Sequence, residues 1–255
     1  MNIRQRLLLR RIRRDDKSLT EIALIDAKIG PAATCKLVQA LKDNTHVKTL
    51  WLAGNNMGDG GSEAIAEVLK CNHAIRQAIL SVNGIGPAGA LALASVLEQE
   101  DDDDDEKAVL EVLCVGGNNL GDKGAAFLAD MLRTNASLIE LWLRDNNLTS
   151  TSAAALARNL QSNDTLQELW LGGNELGDEG ATSLAAAIHE GCCALSVLDL
   201  SNNGITDVGA RTLLDSLASN HHIAKVDLSG NDITDDEILR NINSLLEKNQ
   251  KRRKK

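Results

Sequence analysis

Few residues in this sequence have types and spacing suited to chemistry. One suggestive set pairs Cys192 and Cys193 with His221 and His222, which follow 29 residues later. Cysteine and histidine are the usual ligands of zinc. Neighbouring side chains in an extended chain point in opposite directions, however, so converging all four would require a special turn. We therefore expect an ordinary loop here and predict no metal.

No catalytic motif accompanies these residues. The sequence lacks a glycine-rich phosphate loop with lysine, an H-E-x-x-H helix and a G-x-S-x-G elbow. The other histidines, His46, His73 and His189, fall on predicted helices or on the loops that follow them. We predict that the protein is not an enzyme and binds no cofactor.

The largest side chains are spaced more regularly. The chain has three tryptophans, one phenylalanine and no tyrosine, and the tryptophans stand in LWLAGNN, LWLRDNN and LWLGGNE. Each lies between two leucines and four residues before an asparagine. This placement needs a repeated element that presents the same position three times.

The frame L-x-x-L-x-L-x-x-N supplies that element. It recurs at intervals of 28, 35, 28, 28, 29 and 28 residues, ending at Asn55, Asn83, Asn118, Asn146, Asn174, Asn203 and Asn231. One earlier unit fits from Leu19, with Ala27 in place of the asparagine, which makes eight units. A fixed period of this kind is typical of a solenoid whose units each add one strand and one helix.

Each position of the unit has a physical role. In LQELWLGGNELGDEGATSLAAAIHE the alternation of Leu169 and Leu171 predicts a strand, and Leu184 and Ile188 have helical spacing. The asparagines are expected to bond backbone groups in the turn after each strand. A glycine column at the helix start is expected to allow a tight bend and close packing; it comprises Gly61, Gly89, Gly124, Gly180 and Gly209.

With helices of this length and the segment GDKGAAFLADML from Gly121, residues 19–247 resemble the ribonuclease-inhibitor-like subfamily of leucine-rich repeats. The resemblance implies an α/β solenoid, a horseshoe with a parallel concave β-sheet and convex helices. The subfamily includes ribonuclease inhibitors, sensor arms of immune receptors, actin-filament cappers and Ran GTPase activators. These proteins bind macromolecules with the concave sheet and its edges, and the fold alone does not choose among them.

We predict a protein–protein interaction module that acts as scaffold, adaptor or inhibitor. The alternative is a GTPase-activating regulator of the Ran activator type. Those activators carry an arginine-containing insertion in an early repeat and an acidic C-terminal region, whereas here the early repeats are uninterrupted and the tail is basic. An actin capper would need further segments, and little chain remains outside the repeats.

Charge is unevenly distributed along the chain. The net charge is −9, yet residues 1–14 hold six arginines and residues 248–255 hold six lysines or arginines, all without an acid. The acidic body argues against nucleic-acid binding. No apolar run approaches the ~20 residues that span a membrane. The five cysteines form no even, regularly spaced set that would indicate disulfides, which favours a reducing compartment. We predict no membrane association and a cytoplasmic location, with the nucleus as the other option.

Three segments flank or interrupt the repeats. We interpret residues 1–18 as an N-terminal capping segment in preference to an arginine-rich transit peptide. The insertion at 98–107, EQEDDDDDEK, is either a solvated loop or an acidic flap that attracts a basic partner. The tail at 248–255 is either a nuclear localisation signal or a solvated, disordered end.

In each unit, the residue between the two buried strand positions should face the open side of the sheet. That column reads Ala23, Trp51, Ile79, Cys114, Trp142, Trp170, Asp199 and Asp227, an apolar stripe with an acidic end. We expect Trp142 to touch Trp170, with Trp51 about three strands away. The predicted partner-binding residues are Trp51, Ile79, Trp142, Trp170, Asp199 and Asp227 with a rim of Glu140, Arg144, Asp145 and Glu168. The partner would be a protein with a basic or mixed apolar surface, bound by a monomer. Alternatively, the tryptophans are an inherited feature of the repeat consensus.

Overall fold

The computed structural model describes residues 3–98, 108–190 and 194–253, and strands and helices alternate along them. The strands are β1 Glu21–Ala23, β2 Thr49–Trp51, β3 Gln77–Ile79, β4 Val112–Cys114, β5 Glu140–Trp142, β6 Glu168–Trp170, β7 Val197–Asp199 and β8 Lys225–Asp227. The helices are α1 Ile3–Arg13, α2 Gly30–Leu41, α3 Gly58–Cys71, α4 Pro87–Leu97, α5 Gly121–Leu132, α6 Ser150–Leu160, α7 Gly177–Glu190, α8 Asp207–Ser219 and α9 Asp236–Arg253.

All eight strands pair in parallel and in chain order to form one open sheet. The register is uniform, so that Trp51 lies opposite Ile79, Cys114 opposite Trp142, and Trp142 opposite Trp170. Because side chains alternate along a strand, the leucines on either side of Trp142 and of Trp170 point toward the helices. The opposite surface of the sheet is named the strand face below. The predicted solenoid of strand and helix units is confirmed.

The core lies between the sheet and the helices and runs through all the units. Leu141, Leu143, Leu169 and Leu171 are fully buried. At the helix starts, close packing excludes a side chain: a Cβ atom on Gly180 would lie 2.8 Å from Cβ of Leu176 and 3.2 Å from Cβ of Ala153. The predicted close packing at the glycine column is thus confirmed, whereas the left-handed backbone at the helix starts belongs to other glycines, Gly58, Gly121 and Gly177.

The asparagines after the strands form a buried ladder. Asn83 donates from Nδ2 to the carbonyl oxygens of Leu52 and Leu80, and its Oδ1 accepts from the backbone N–H groups of Asn55 and Met57. The same pattern recurs at the other asparagines of the frame. These bonds satisfy backbone groups that would otherwise be buried without partners. The predicted backbone-bonding role of this row is confirmed.

A second buried asparagine row, which the sequence analysis missed, lies where the helices end. Asn163 donates from Nδ2 to the carbonyl oxygens of Leu132 and Asn135, and its Oδ1 accepts from the backbone N–H of Leu166. The row comprises Asn44, Asn72, Asn135, Asn163 and Asn220. Asn249, within α9, donates in the same way to the carbonyl oxygen of Asn220. Asparagine three residues before the first apolar residue of the frame is the signal that could have revealed it.

The two ends of the stack are covered by helices. Helix α1 buries Leu9 and Ile12, and Gln5 donates from Nε2 to the carbonyl oxygen of Ala27, the residue that replaces the frame asparagine. At the other end α9 continues to Arg253 and buries Asn249. Residues 248–253 are therefore helical, which differs from the expected disordered end.

Among the described residues no helix combines the length and apolar character needed to cross a membrane. The acidic run at 99–107 and the pair Cys192 and Cys193 lie outside the described residues, so the interpretations placed on them stay predictions. In the rest of the chain, no group of three or more His, Cys, Asp or Glu side chains is arranged to hold a metal ion.

Candidate functional site

The three tryptophans lie in one row on the strand face. Each is partly exposed, whereas the leucines that flank it are fully buried. Because the register is uniform, the expected order holds, with Ile79 and Cys114 between Trp51 and Trp142. The strand face therefore carries a continuous apolar row from β2 to β6.

Trp142 and Trp170 are in contact, as the sequence predicted. Their ring centroids are 4.3 Å apart and their planes differ by 15°, so the rings are stacked. Lys225 lies over the Trp170 ring, with Nζ 5.1 Å from the centroid, a distance suited to a cation–π interaction. Trp170 is thus engaged by a neighbour from β5 and another from β8.

Glutamates hold the three indole rings in place. The indole N–H groups of Trp142 and Trp170 donate to Oε2 of Glu140 and Glu168, at 3.0 and 3.1 Å. Trp51 donates to Oε2 of Glu21 on the preceding strand, at 3.2 Å. A hydrogen bond to each ring nitrogen restricts ring rotation, so the rings are oriented before any partner binds.

A groove of about 340 Å³ separates Trp51 from Trp142. It is lined by Trp51, Gln77, Ile79, Val112, Cys114, Glu140 and Trp142. The lining is mostly apolar, and small binding sites are typically concave and apolar with a few polar groups. Gln77 and Val112 were not identified from the sequence, because in the column two residues before the apolar row only Glu140 and Glu168, beside the paired tryptophans, were singled out.

Asp199 differs from the sequence prediction of an exposed acidic end. Its side chain is only 1% exposed, and its Oδ2 lies 2.7 Å from Nη1 of Arg144. Its Oδ1 accepts a hydrogen bond from the backbone N–H of Ser201. A buried carboxylate requires a partner of this kind, since burial without one is costly. Asp199 is accordingly a structural ion-pair partner within this surface and offers no free charge.

The ion pair depends on a glycine between its two members. Arg144 follows β5 and Asp199 ends β7, so the guanidinium crosses the chain after β6 at Gly172. A Cβ atom on Gly172 would lie 2.7 Å from Oδ2 of Asp199 and 2.6 Å from Oγ of Ser201. The arginine and aspartate were singled out from the sequence, but their pairing and the need for glycine were not.

The remaining predicted residues lie around this surface. Asp227 is partly exposed; hydrogen bonds from the side chain and backbone N–H of Ser229 hold its pKa below the usual value, against a smaller opposing effect of burial. Asp227 therefore keeps its charge and forms the acidic end of the row. Asp145 is exposed in the turn after β5, where its carboxylate lies next to Gly173.

Comparison with known protein families gives one match. A model described as Leucine Rich repeat matches the chain at residues 43–66, 107–129, 162–185, 191–214 and 219–236. No curated protein matches the chain. The matched segments include strands β2, β4, β6, β7 and β8, and they begin within one residue of corresponding positions of the repeat read from the sequence.

Solved structures with the same kind of repeat show distant similarity. Actin-binding site 2 (ABS2) of leiomodin-1 is 16% identical, with 96% of this chain and 89% of that chain covered and a TM-score of 0.29. The tropomodulin C-terminal domain from Caenorhabditis elegans is 14% identical, with coverages of 98% and 95% and a TM-score of 0.31. TM-scores this low support no argument about function or partner.

Proposed function

Since the chain is a leucine-rich repeat protein, we propose that it acts as a non-enzymatic interaction module that holds another protein on its strand face. The observation that carries the proposal is the stacked, partly exposed pair of Trp142 and Trp170 on the open sheet. Aromatic anchors within a polar rim are the residues that most often dominate the energy of a protein interface.

The polar groups near the pair support binding over catalysis. Glu140 and Glu168 are hydrogen-bonded to indole nitrogens, and Arg144 is paired with the buried Asp199. These contacts fix the shape of the surface. A rigid, pre-oriented surface loses little conformational entropy on binding, which favours affinity.

Assignment to the ribonuclease-inhibitor-like subfamily is part of the same proposal. It is supported by units near 28 residues and by helices such as α3, with 14 residues, and α5, with 12. We also propose a location in the cytoplasm or nucleus. The exposed, free thiols of Cys35 and Cys71 fit a reducing compartment.

The double variant Trp142→Ala with Trp170→Ala tests the proposal. A partner is first identified by proximity labelling and its complex measured by calorimetry. The double variant should weaken that complex by ~2 kcal/mol or more while circular dichroism and melting change little. Val208→Ala, an exposed apolar residue on α8, is the matched control and should bind normally.

Two results would contradict the proposal. Normal binding by the double variant together with a much earlier melt would make the tryptophans structural. Partner-stimulated GTP hydrolysis would favour the GTPase-activating alternative, whereas a stoichiometric complex without turnover agrees with a scaffold, adaptor or inhibitor.

A further inference from the structure

The groove between Trp51 and Trp142 differs from the stacked pair beside it. Trp142 packs against Trp170, and Lys225 also lies over Trp170, so the pair is filled by contacts within the chain. Trp142 also lines the groove, whereas Trp170 does not. Space for a partner's side chain is therefore present at the groove and not between the stacked rings.

The lining of the groove determines what can enter it. Ile79, Val112 and Cys114 lie between the two tryptophans and supply only aliphatic and thiol surface. Burial of an apolar side chain there would gain about 25 cal/mol for each Å² removed from water. A polar side chain would lose water there with only Gln77 and Glu140 of the lining to replace it. The groove thus selects aliphatic side chains.

Charge along one edge of the strand face gives a second restriction. Glu21 and Glu140 each bind an indole N–H through Oε2, one beside each wall of the groove, and Glu168 follows on the next strand. Within the part of the chain described, no lysine or arginine forms an ion pair with these three carboxylates. Their negative charge is left for a partner to neutralise.

The turn after β3 carries an exposed apolar residue in an unusual backbone conformation. Val82 has φ +55° and a relative exposure of 62%, an unfavourable backbone conformation for a β-branched residue. The corresponding position in neighbouring units is held by Gly54 and Gly117. An exposed valine kept in a strained turn, three residues after Ile79, is an outlier of the kind that marks functional surfaces.

We propose that this groove binds a segment of a partner protein that carries aliphatic side chains flanked by lysine or arginine. The aliphatic side chains enter between Trp51 and Trp142, and the flanking cations contact Glu21 and Glu140. This inference rests on the proposed function, because it specifies the chemistry of the partner. A second copy of the strand face is opposed by charge, since the same glutamates would face one another.

Selection from a displayed library of random peptides tests the groove directly. The wild-type protein is used for selection, and Ile79→Glu, which places a charge in the groove, is used for counter-selection. Enriched peptides should combine aliphatic residues with a net positive charge and should bind Ile79→Glu at least tenfold more weakly. Binding is read from intrinsic fluorescence, because all three tryptophans lie on the strand face.

The paired substitution Glu21→Gln with Glu140→Gln tests the charge separately. Glutamine keeps an oxygen that can accept the indole hydrogen bond but removes the negative charge. Affinity for the selected peptides should fall several-fold at low salt, and the difference from wild type should shrink as salt is added. This variant also serves where Ile79→Glu fails to fold, as judged by circular dichroism.

Several outcomes would overturn the inference. These are enrichment of acidic or purely polar peptides, equal binding to Ile79→Glu, or no enrichment at all. Self-association of the protein that Ile79→Glu abolishes would make a second copy the occupant instead. A partner that requires Trp142 and Trp170 but ignores Ile79→Glu would refute the groove alone, and a partner that requires neither would refute the proposed function as well.

Discussion

Arg144 and Asp199 are joined by a 2.7 Å contact between Nη1 and Oδ2. They belong to the units of β5 and β7, and the unit of β6 lies between them. The guanidinium is 37% exposed and the carboxylate is 1% exposed, so the arginine covers a charge that the protein has buried. The pair links the surfaces that follow β5 and β7 over Gly172. Like the contact of Lys225 with Trp170, it joins second-nearest neighbours in the order of the strands.

Gly172→Ala should destabilise the protein by about 1–3 kcal/mol, because the added methyl group overlaps Asp199 and Ser201. Urea unfolding followed by circular dichroism provides the measurement. Gly60→Ala is the control: it lies in α3 with nothing within 4 Å of an added Cβ atom, and it should stabilise by about 0.5–1 kcal/mol. If Gly172→Ala lowers the free energy of unfolding no more than Gly60→Ala does, the steric explanation is wrong.

Leucines in the middle of the stack should matter more than those at its end. Leu171 is fully buried between two sets of neighbours, whereas Leu228, next to β8, is 9% exposed in the last unit. Leu171→Ala should cost about 2–5 kcal/mol, and Leu228→Ala should cost less, because a terminal unit has one repeat neighbour. Equal losses in the free energy of unfolding would argue against nearest-neighbour stacking.

The fold could be predicted from the sequence because each unit repeats the same local pattern. The alternation around Leu169 and Leu171 specifies a strand and its buried side, and repetition specifies the parallel register. The stacked tryptophans follow from that register alone. Such reasoning treats each column independently of the others.

The features of the site that could not be predicted from the sequence are contacts between residues of different columns and different units. Burial of Asp199 depends on an arginine from two units earlier and on a glycine between them, so its own column predicts an exposed acid. The groove likewise depends on Gln77 and Val112, which belong to the first position of their strands. Side-chain reach across units is a tertiary property that a repeat alignment does not contain.

Acid should weaken the link between α7 and α8. Burial raises the pKa of Asp178, but hydrogen bonds from the side chain and backbone N–H of Thr206 and from the N–H of Gly209 outweigh it and lower the pKa overall. A carboxylate whose pKa is lowered in the folded protein stabilises the fold fully at pH values above the pKa of aspartate in the unfolded chain, about 3.9. That stabilisation is lost as pH falls through the folded value.

Asp178→Asn tests this dependence. The variant should be less stable than wild type at neutral pH, and the difference should shrink as pH falls below about 4 and through the lowered folded pKa. Asp164→Asn removes the same charge from an exposed loop and serves as the control. Urea unfolding at each pH provides the measurement, and a difference for Asp178→Asn that does not change with pH would rule out the proposed link.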